Sequence, residues 1–235
     1  MSKAADMAKV SATGSFHLLW GLVASTIISS VGTIFVARLL GSDLYGLYVV
    51  VLTAPTLIAT FRDWGINSAM VRFAAQYRAE GREAEVRSVY VSGLIFELAL
   101  GLTLSVLCFA LSGFLANTVF QRPEITPLIE LASFVILAGG LTNAATAVFT
   151  GIEKMEHNSV MLICQSLIKT ALLIALVELG FAASGAVTGD VVAHTVGGII
   201  GILLIWSIYR KMPKPYSNKL ELKAYIKIMF KYGAP

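Results

Sequence analysis

The longest uninterrupted stretches of apolar residues constrain this chain more than any other feature. Six such runs cover most of its length, at about residues 16–40, 44–77, 89–114, 127–149, 159–180 and 189–209. The second is apolar to Phe61 and continues in helical style to Tyr77. About twenty apolar residues span the ~30 Å hydrocarbon core of a bilayer as an α-helix. A backbone in lipid finds no water partners, so each run must be a helix or a strand of a closed barrel. Barrel strands need only ~10 residues of alternating polarity, and these runs are longer and do not alternate. Composition agrees: of 235 residues, 57% are hydrophobic and 14% charged, with a mean hydropathy of +0.78, against roughly a quarter charged in soluble domains. The expected fold is therefore all-α, with six transmembrane helices. A cytoplasmic segment over 1–14 precedes the helical region at 15–209, and a basic segment follows at 210–235.

The joints carry helix punctuation. Gly41-Ser42-Asp43 stops the first helix, and Ser42 or Asp43 can cap the second. Pro127 falls where a first-turn proline is harmless. Gly180 ends the fifth run, and the small residues from Phe181 to Thr188 are expected to turn the chain round. The first run is too long for a signal peptide, whose apolar core is ~7–15 residues. With the N-terminus inside, fourteen Lys and Arg fall in inner segments and only Arg122 in an outer loop. That bias places both termini on the cytoplasmic side of the cell membrane. It accounts for the net charge of +4 without any nucleic-acid partner. Lys219, Lys223, Lys227 and Lys231 recur every four residues with Tyr225, Ile226, Met229 and Phe230 between them, a pattern expected of an amphipathic helix on the inner membrane surface. Cys108 and Cys164 lie inside helices and are expected to be free, buried thiols.

The sequence holds no phosphate-binding glycine loop, no metal-spaced His/Cys cluster and no nucleophile elbow. Nothing supports an enzyme or a cofactor. The informative residues are charges at membrane depth, each costing ~2.5–3.5 kcal/mol on insertion scales. Arg62 and Asp63 lie partway along the second run, Glu97 in the third, and Lys169 in the fifth with Gln165 one turn before it. On a continuous second helix Arg62, Gly65, Ala69, Arg72 and Gln76 share a stripe; on the third, Tyr90, Glu97, Gly101 and Ser105 share a sector. Polar faces on three helices are what a water-filled central cavity requires. Two alternatives stand beside it. One is a buried ion pair, for example Lys169 with Glu97, that only locks the bundle. The other is a bent second helix that lets Arg62 reach the interface. Gly21, Ser25, Ser29 and Thr33 read as a small-residue packing seam. Gly139-Gly140 reads as another seam or a flex point. Arg38, Glu130, Glu178 and Asp190 are expected near outer helix ends, where side chains reach the interface. Leu104 and Leu173 are expected to face lipid.

Three segments together resemble a known family. Ala37-Arg38-Leu39-Leu40-Gly41-Ser42-Asp43-Leu44-Tyr45-Gly46 is similar to the junction between the first two helices of the polysaccharide biosynthesis flippases, the Wzx-type O-antigen translocases of the MOP superfamily, which also holds the MATE antiporters and the lipid II flippases. Asp63-Trp64-Gly65-Ile66-Asn67-Ser68-Ala69 followed by Arg72-Phe73-Ala74-Ala75, and Phe149-Thr150-Gly151-Ile152-Glu153-Lys154-Met155, are similar as well. The resemblance implies two six-helix lobes around a central cavity, alternating access, and a polyprenyl-diphosphate-linked saccharide flipped to the outer leaflet. It implies that this chain is the first lobe only, needing membrane lipids around it and a second lobe as partner. For such an anionic substrate the candidate binding residues are Arg62, Arg72 and Lys169 with Gln165, while Asp63 and Glu97 orient the cations or respond to a coupling ion. The other readings are a MATE-like cation antiporter lobe and a membrane scaffold without transport.

Overall fold

The computed structural model describes residues 3–62 and 66–210. The C-terminal amphipathic segment, together with Asp63, Trp64 and Gly65, lies outside the described residues.

Seven α-helices are described: α1 (Lys3–Ala59), α2 (Ile66–Ala79), α3 (Glu83–Phe114), α4 (Thr126–Ala132), α5 (Phe134–Gly151), α6 (Met155–Leu176) and α7 (Ala182–Tyr209). No strand occurs among the described residues. Four continuous helical stretches are long and apolar enough to cross a membrane: Phe16–Arg62, Glu83–Val119, Pro123–Gly151 and Met155–Tyr209. Large apolar side chains such as Leu19, Trp20, Val23 and Ile27 on α1, and Leu102, Val106 and Phe109 on α3, point out of the bundle. That is the arrangement for a chain whose solvent is lipid rather than water.

Two of these stretches are broken internally at glycines with positive φ. Gly41 holds φ 70°, ψ 177° inside α1, a region essentially closed to side-chain-bearing residues. Gly180 holds φ 89°, ψ 7° between α6 and α7. The small residues after Gly180 do not form the expected turn; they open α7 at Ala182. Gly185 and Gly189 explain this, because the space for their side chains is already taken by α6. A Cβ on Gly189 would meet Leu173 Cδ1 at 2.9 Å, and one on Gly185 would meet Leu176 main chain at 3.1 Å.

Close contacts fix the direction of each pair. Ser159 Oγ donates to His17 O at 2.6 Å, and Thr170 Oγ1 donates to Ile28 O at 3.2 Å. Beside these bonds, a Cβ on Gly21 would lie 2.5 Å from Ser159 Cβ, and one on Gly32 2.5 Å from Thr170 Oγ1. The two contacts are eleven residues apart on both helices, about three turns, so the first half of α1 runs parallel to α6. The packing seam is therefore Gly21 and Gly32; Ser25, Ser29 and Thr33 instead line a shallow groove on α1. On α3 and α5, Tyr90 sits against Gly151, Glu97 against Gly140, and Ser105 Oγ donates to Ser133 O at 2.9 Å, so these helices are antiparallel. Helices α6 and α7 are antiparallel too, with Leu173 at Gly189, Gln165 at Gly197 and Met161 at Gly201.

The interior divides into two apolar layers. One gathers Val36, Leu40, Tyr48, Val51, Leu104, Cys108, Ile129 and Leu173. The other gathers Ala69, Met70, Val89, Tyr90, Val148, Phe149, Met161 and Ile205. Leu104 and Leu173 are core residues of the first layer, not lipid-facing ones: each falls on the helix face that meets a neighbour. The basic residues gather beyond the second layer. Arg78 donates to Ile152 O at 3.1 Å and lies 3.5 Å from Glu153, while the Arg87 and Arg210 guanidinia sit over the rings of Tyr209 and Trp206. In the loop between α2 and α3, hydrogen bonds from Gln76 and Arg82 hold the Glu80 carboxyl below its usual range.

Candidate functional site

The charged residues occupy the band between the two apolar layers. Helix α1 ends in a short 3-10 turn, Thr60–Arg62, one turn after Pro55 has removed a backbone donor. That turn places Arg62 against α5. Its Nη1 donates to Ile136 O at 3.1 Å, and its Nε lies 3.9 Å from Glu97 Oε2. Gly139 and Gly140 form the bed under this pair. A Cβ on Gly139 would lie 3.4 Å from Arg62 Nη1, and one on Gly140 3.7 Å from Glu97 Oε2. Gly140 is thus part of the seam between α5 and α3, 3.5 Å from the main-chain O of Glu97 for a built Cβ, and Gly139 is the surface on which the guanidinium rests.

Beside Arg62 opens a recess of about 330 Å³, with Pro55, Arg62, Gly139, Asn143, Gln165 and His194 in its wall. Sites for small molecules run ~300–1,000 Å³ and are mostly apolar with a few placed polar groups. One turn beyond Gln165 on α6, Lys169 Nζ lies 2.5 Å from Asp190 Oδ1 on α7. His194, one turn further along α7, brings Nδ1 to 2.9 Å from the main-chain O of Asp190 and 3.7 Å from its Oδ1. In both ion pairs the acid is the enclosed member. Side-chain exposure is 13% for Arg62 against 2% for Glu97, and 26% for Lys169 against 4% for Asp190.

Of the residues singled out in the sequence, Arg62 and Gln165 line the recess, and Glu97 backs Arg62. Lys169 pairs with Asp190, not with Glu97. Arg72 is exposed on α2 and is not part of the recess. The stripe that grouped it with Arg62 assumed an unbroken helix, whereas α1 tightens into a 3-10 turn at Arg62 and α2 begins at Ile66. The Tyr90, Gly101 and Ser105 sector is a packing face against α5 rather than a cavity wall. Asp190 is not at a helix end. Because α7 begins at Ala182, Asp190 stands two turns inside it, buried. Asp190, His194 and Gly197 are spaced i, i+4, i+7, one face of a helix, and that spacing was the available signal. Cys108 is buried and Cys164 half-buried, both free.

Solved structures show the same fold. An outward-facing multidrug resistance MATE family transporter of the MOP superfamily superposes with a TM-score of 0.73 at 18% identity, covering 96% of this chain and 51% of that one. A MOP superfamily transporter from Pyrococcus furiosus Vc1 (DSM3638), whose reversed pocket polarity suggests a different function for it, gives 0.71 at 18%, covering 96% and 51%. MATE in a straight conformation gives 0.65 at 17%, covering 86% and 44%. The chain spans about half the length of these structures, and at such identities the likeness is one of fold. No curated protein sequence matches significantly. The sequence matches the polysaccharide biosynthesis protein family over residues 11–235. A multi-pass helical bundle with a MOP-superfamily fold and a match over nearly its whole length, this chain belongs to the polysaccharide biosynthesis protein family.

Proposed function

We propose that this chain is one lobe of a membrane transporter that carries a polyprenyl-diphosphate-linked saccharide from the cytoplasmic to the outer leaflet of the cell membrane. The observation that supports it is the polarity of the charged band. Two carboxylates are enclosed and hold two cations whose heads are the accessible members. A lipid diphosphate is anionic, and a guanidinium matches phosphate oxygens in a fork-like geometry. The recess is sized for a head group, leaving the polyprenyl chain to lipid. Arg62 takes the phosphate, Glu97 positions Arg62, and the amides of Asn143 and Gln165 serve the sugar hydroxyls. Lys169, held by Asp190, adds positive charge one turn away.

The same reading makes six crossings from four helical stretches. At 1.5 Å per residue, stretches of 47 and 55 residues are ~70 and ~80 Å long, over twice the hydrocarbon thickness. Gly41 and Gly180 are where each folds back. The basic end, with Arg78, Arg82, Lys154 and Arg210, is cytoplasmic, and a second lobe closes the site from the opposite side.

The test is Arg62→Gln in the complete gene product. Saccharide export should fall at least tenfold, as expected when a phosphate loses its charged donor, while the protein level in the membrane holds. Undiminished export by this variant would overturn the assignment. A cation antiporter would instead depend on the enclosed carboxylates, so Glu97→Gln would abolish transport and Arg62→Gln would not.

A further inference from the structure

His194 is not needed to hold Lys169, which already has Asp190, yet it stands in the wall of the recess. Its ring geometry fixes a tautomer. Nδ1 lies 2.9 Å from the main-chain O of Asp190, and a carbonyl oxygen has only lone pairs to offer, so Nδ1 carries the hydrogen and donates it. In the neutral ring the other nitrogen, Nε2, is then an acceptor. His194 lines the recess, and with Nδ1 engaged on the α7 backbone, Nε2 is the ring nitrogen left for a ligand there. Histidine is the side chain whose ordinary titration falls between about pH 5 and 8. The charged and titratable groups around it are named quickly. Asp190 is on its own helix, and Lys169, with the neutral Gln165, is on α6. Arg62 is also in the wall of the recess, with its counter-ion Glu97 behind it. Tyr48 on α1 is within electrostatic reach of Asp190. Helix α5 offers only the neutral Thr142 and Asn143. Both carboxylates are already matched one to one by Arg62 and Lys169. A proton on His194 Nε2 therefore adds one net positive charge beside the recess, tempered by the Asp190 carboxylate 3.7 Å from Nδ1 and balanced in full when an anion arrives.

We propose that the recess takes up its anion together with one proton, carried on His194 Nε2, and releases the two together. The only bond made is N–H. The bond broken is an O–H of a hydronium ion from the aqueous phase, which leaves as water; when the anion departs the proton returns to water as hydronium, Nδ1–H staying on the Asp190 carbonyl throughout. This deepens the reading of the recess as an anion site and rests on it. By linkage, a bound anion raises the proton affinity of His194, and a protonated His194 raises the affinity for the anion by the same factor. Binding is thus tighter on the acid side of the histidine titration and weaker above it.

The probe is geranylgeranyl diphosphate, titrated into the complete gene product in lipid nanodiscs between about pH 5.5 and pH 8.5. Proton uptake is read calorimetrically from buffers of different ionisation enthalpy. The wild-type affinity should fall roughly fivefold or more across this range, the low end of typical coupling between sites, with close to one proton taken up near the acid end. In His194→Gln, and in His194→Asn as a second variant should the first fold poorly, the extra affinity and the extra proton uptake of the wild type on the acid side should be lost, leaving only the pH dependence of the probe's own terminal phosphate. Wild type and variants sharing one pH profile, sloping or flat, would overturn the role of His194 while leaving the anion site standing. No diphosphate binding by the wild type at any pH would overturn the anion site itself, and this inference with it.

Discussion

At the level of single residues, the two ion pairs decide which substitutions are tolerated. Removing one partner of an enclosed pair leaves a bare charge and costs ~3–5 kcal/mol, whereas replacing both by apolar residues of similar size is often neutral. Asp190→Leu should therefore lower the melting temperature of the detergent-solubilised protein sharply, and adding Lys169→Met should restore it. The same cycle run on Lys169 and Glu97 should show no coupling beyond the ~0.3–0.5 kcal/mol scatter of independent sites, because the structure pairs neither with the other. A coupling of several kcal/mol between Lys169 and Glu97 would mean that the charged band is arranged differently. At Arg62 the outcome separates stability from function: Arg62→Leu with Glu97→Leu should reach the membrane in normal amount and yet export nothing.

At the level of elements, two glycines end helices for different reasons, and this can be measured. Neither has a neighbouring atom within 4 Å of the place a Cβ would occupy, so any penalty is conformational and not steric. The Gly41 conformation is nearly closed to any side chain, while that of Gly180 is close to the left-handed helical region that asparagine tolerates. Gly41→Asn should destabilise about as much as Gly41→Ala, by ~1–3 kcal/mol. Gly180→Asn should recover much of what Gly180→Ala loses. Thermal unfolding of the four variants checks this, and equal losses at Gly180 would contradict the turn described here. The α1–α6 contact is steric instead. Gly32→Val would drive a branched side chain into Thr170 and break its bond to Ile28 O, so it should destabilise more than Gly46→Val, where space is open.

For the whole molecule, the gathering of basic side chains at one end makes a topological prediction. Cysteines introduced at Arg82 and Lys154 should react with a membrane-impermeant thiol reagent only after cells are opened. Cysteines at Gln121 and Ser184, both exposed at the other end, should react in intact cells. Labelling at Arg82 from outside would reverse the orientation and with it the direction of transport. If a second lobe completes the site as proposed, this chain by itself should associate with itself in mild detergent; a well-behaved monomer that restores export alone would contradict the two-lobe reading.

The sequence by itself determined that this chain is a helical membrane protein and, within two residues, where α3, α5 and α7 end. Run length and apolar content are local quantities, and lipid leaves a backbone only the helix or the closed barrel, whose short alternating strands these runs do not match. It also determined that charges lie at membrane depth, since Arg62, Glu97 and Lys169 interrupt apolar runs. Only the tertiary structure decided which charges meet. A helix presents a side chain at an angle set by its register, and the register depends on where the helix begins. Starting α7 at Ala182 instead of Gly189 moves Asp190 from an expected end to the interior. Tightening the second run into a 3-10 turn at Thr60–Arg62 separates Arg62 from Arg72. Partner choice across helices then follows from direction and depth of contact. Those are set by where Ser159, Thr170, Gly185 and Gly189 let the backbones approach, and no pattern within one helix records what the opposite helix carries at that level.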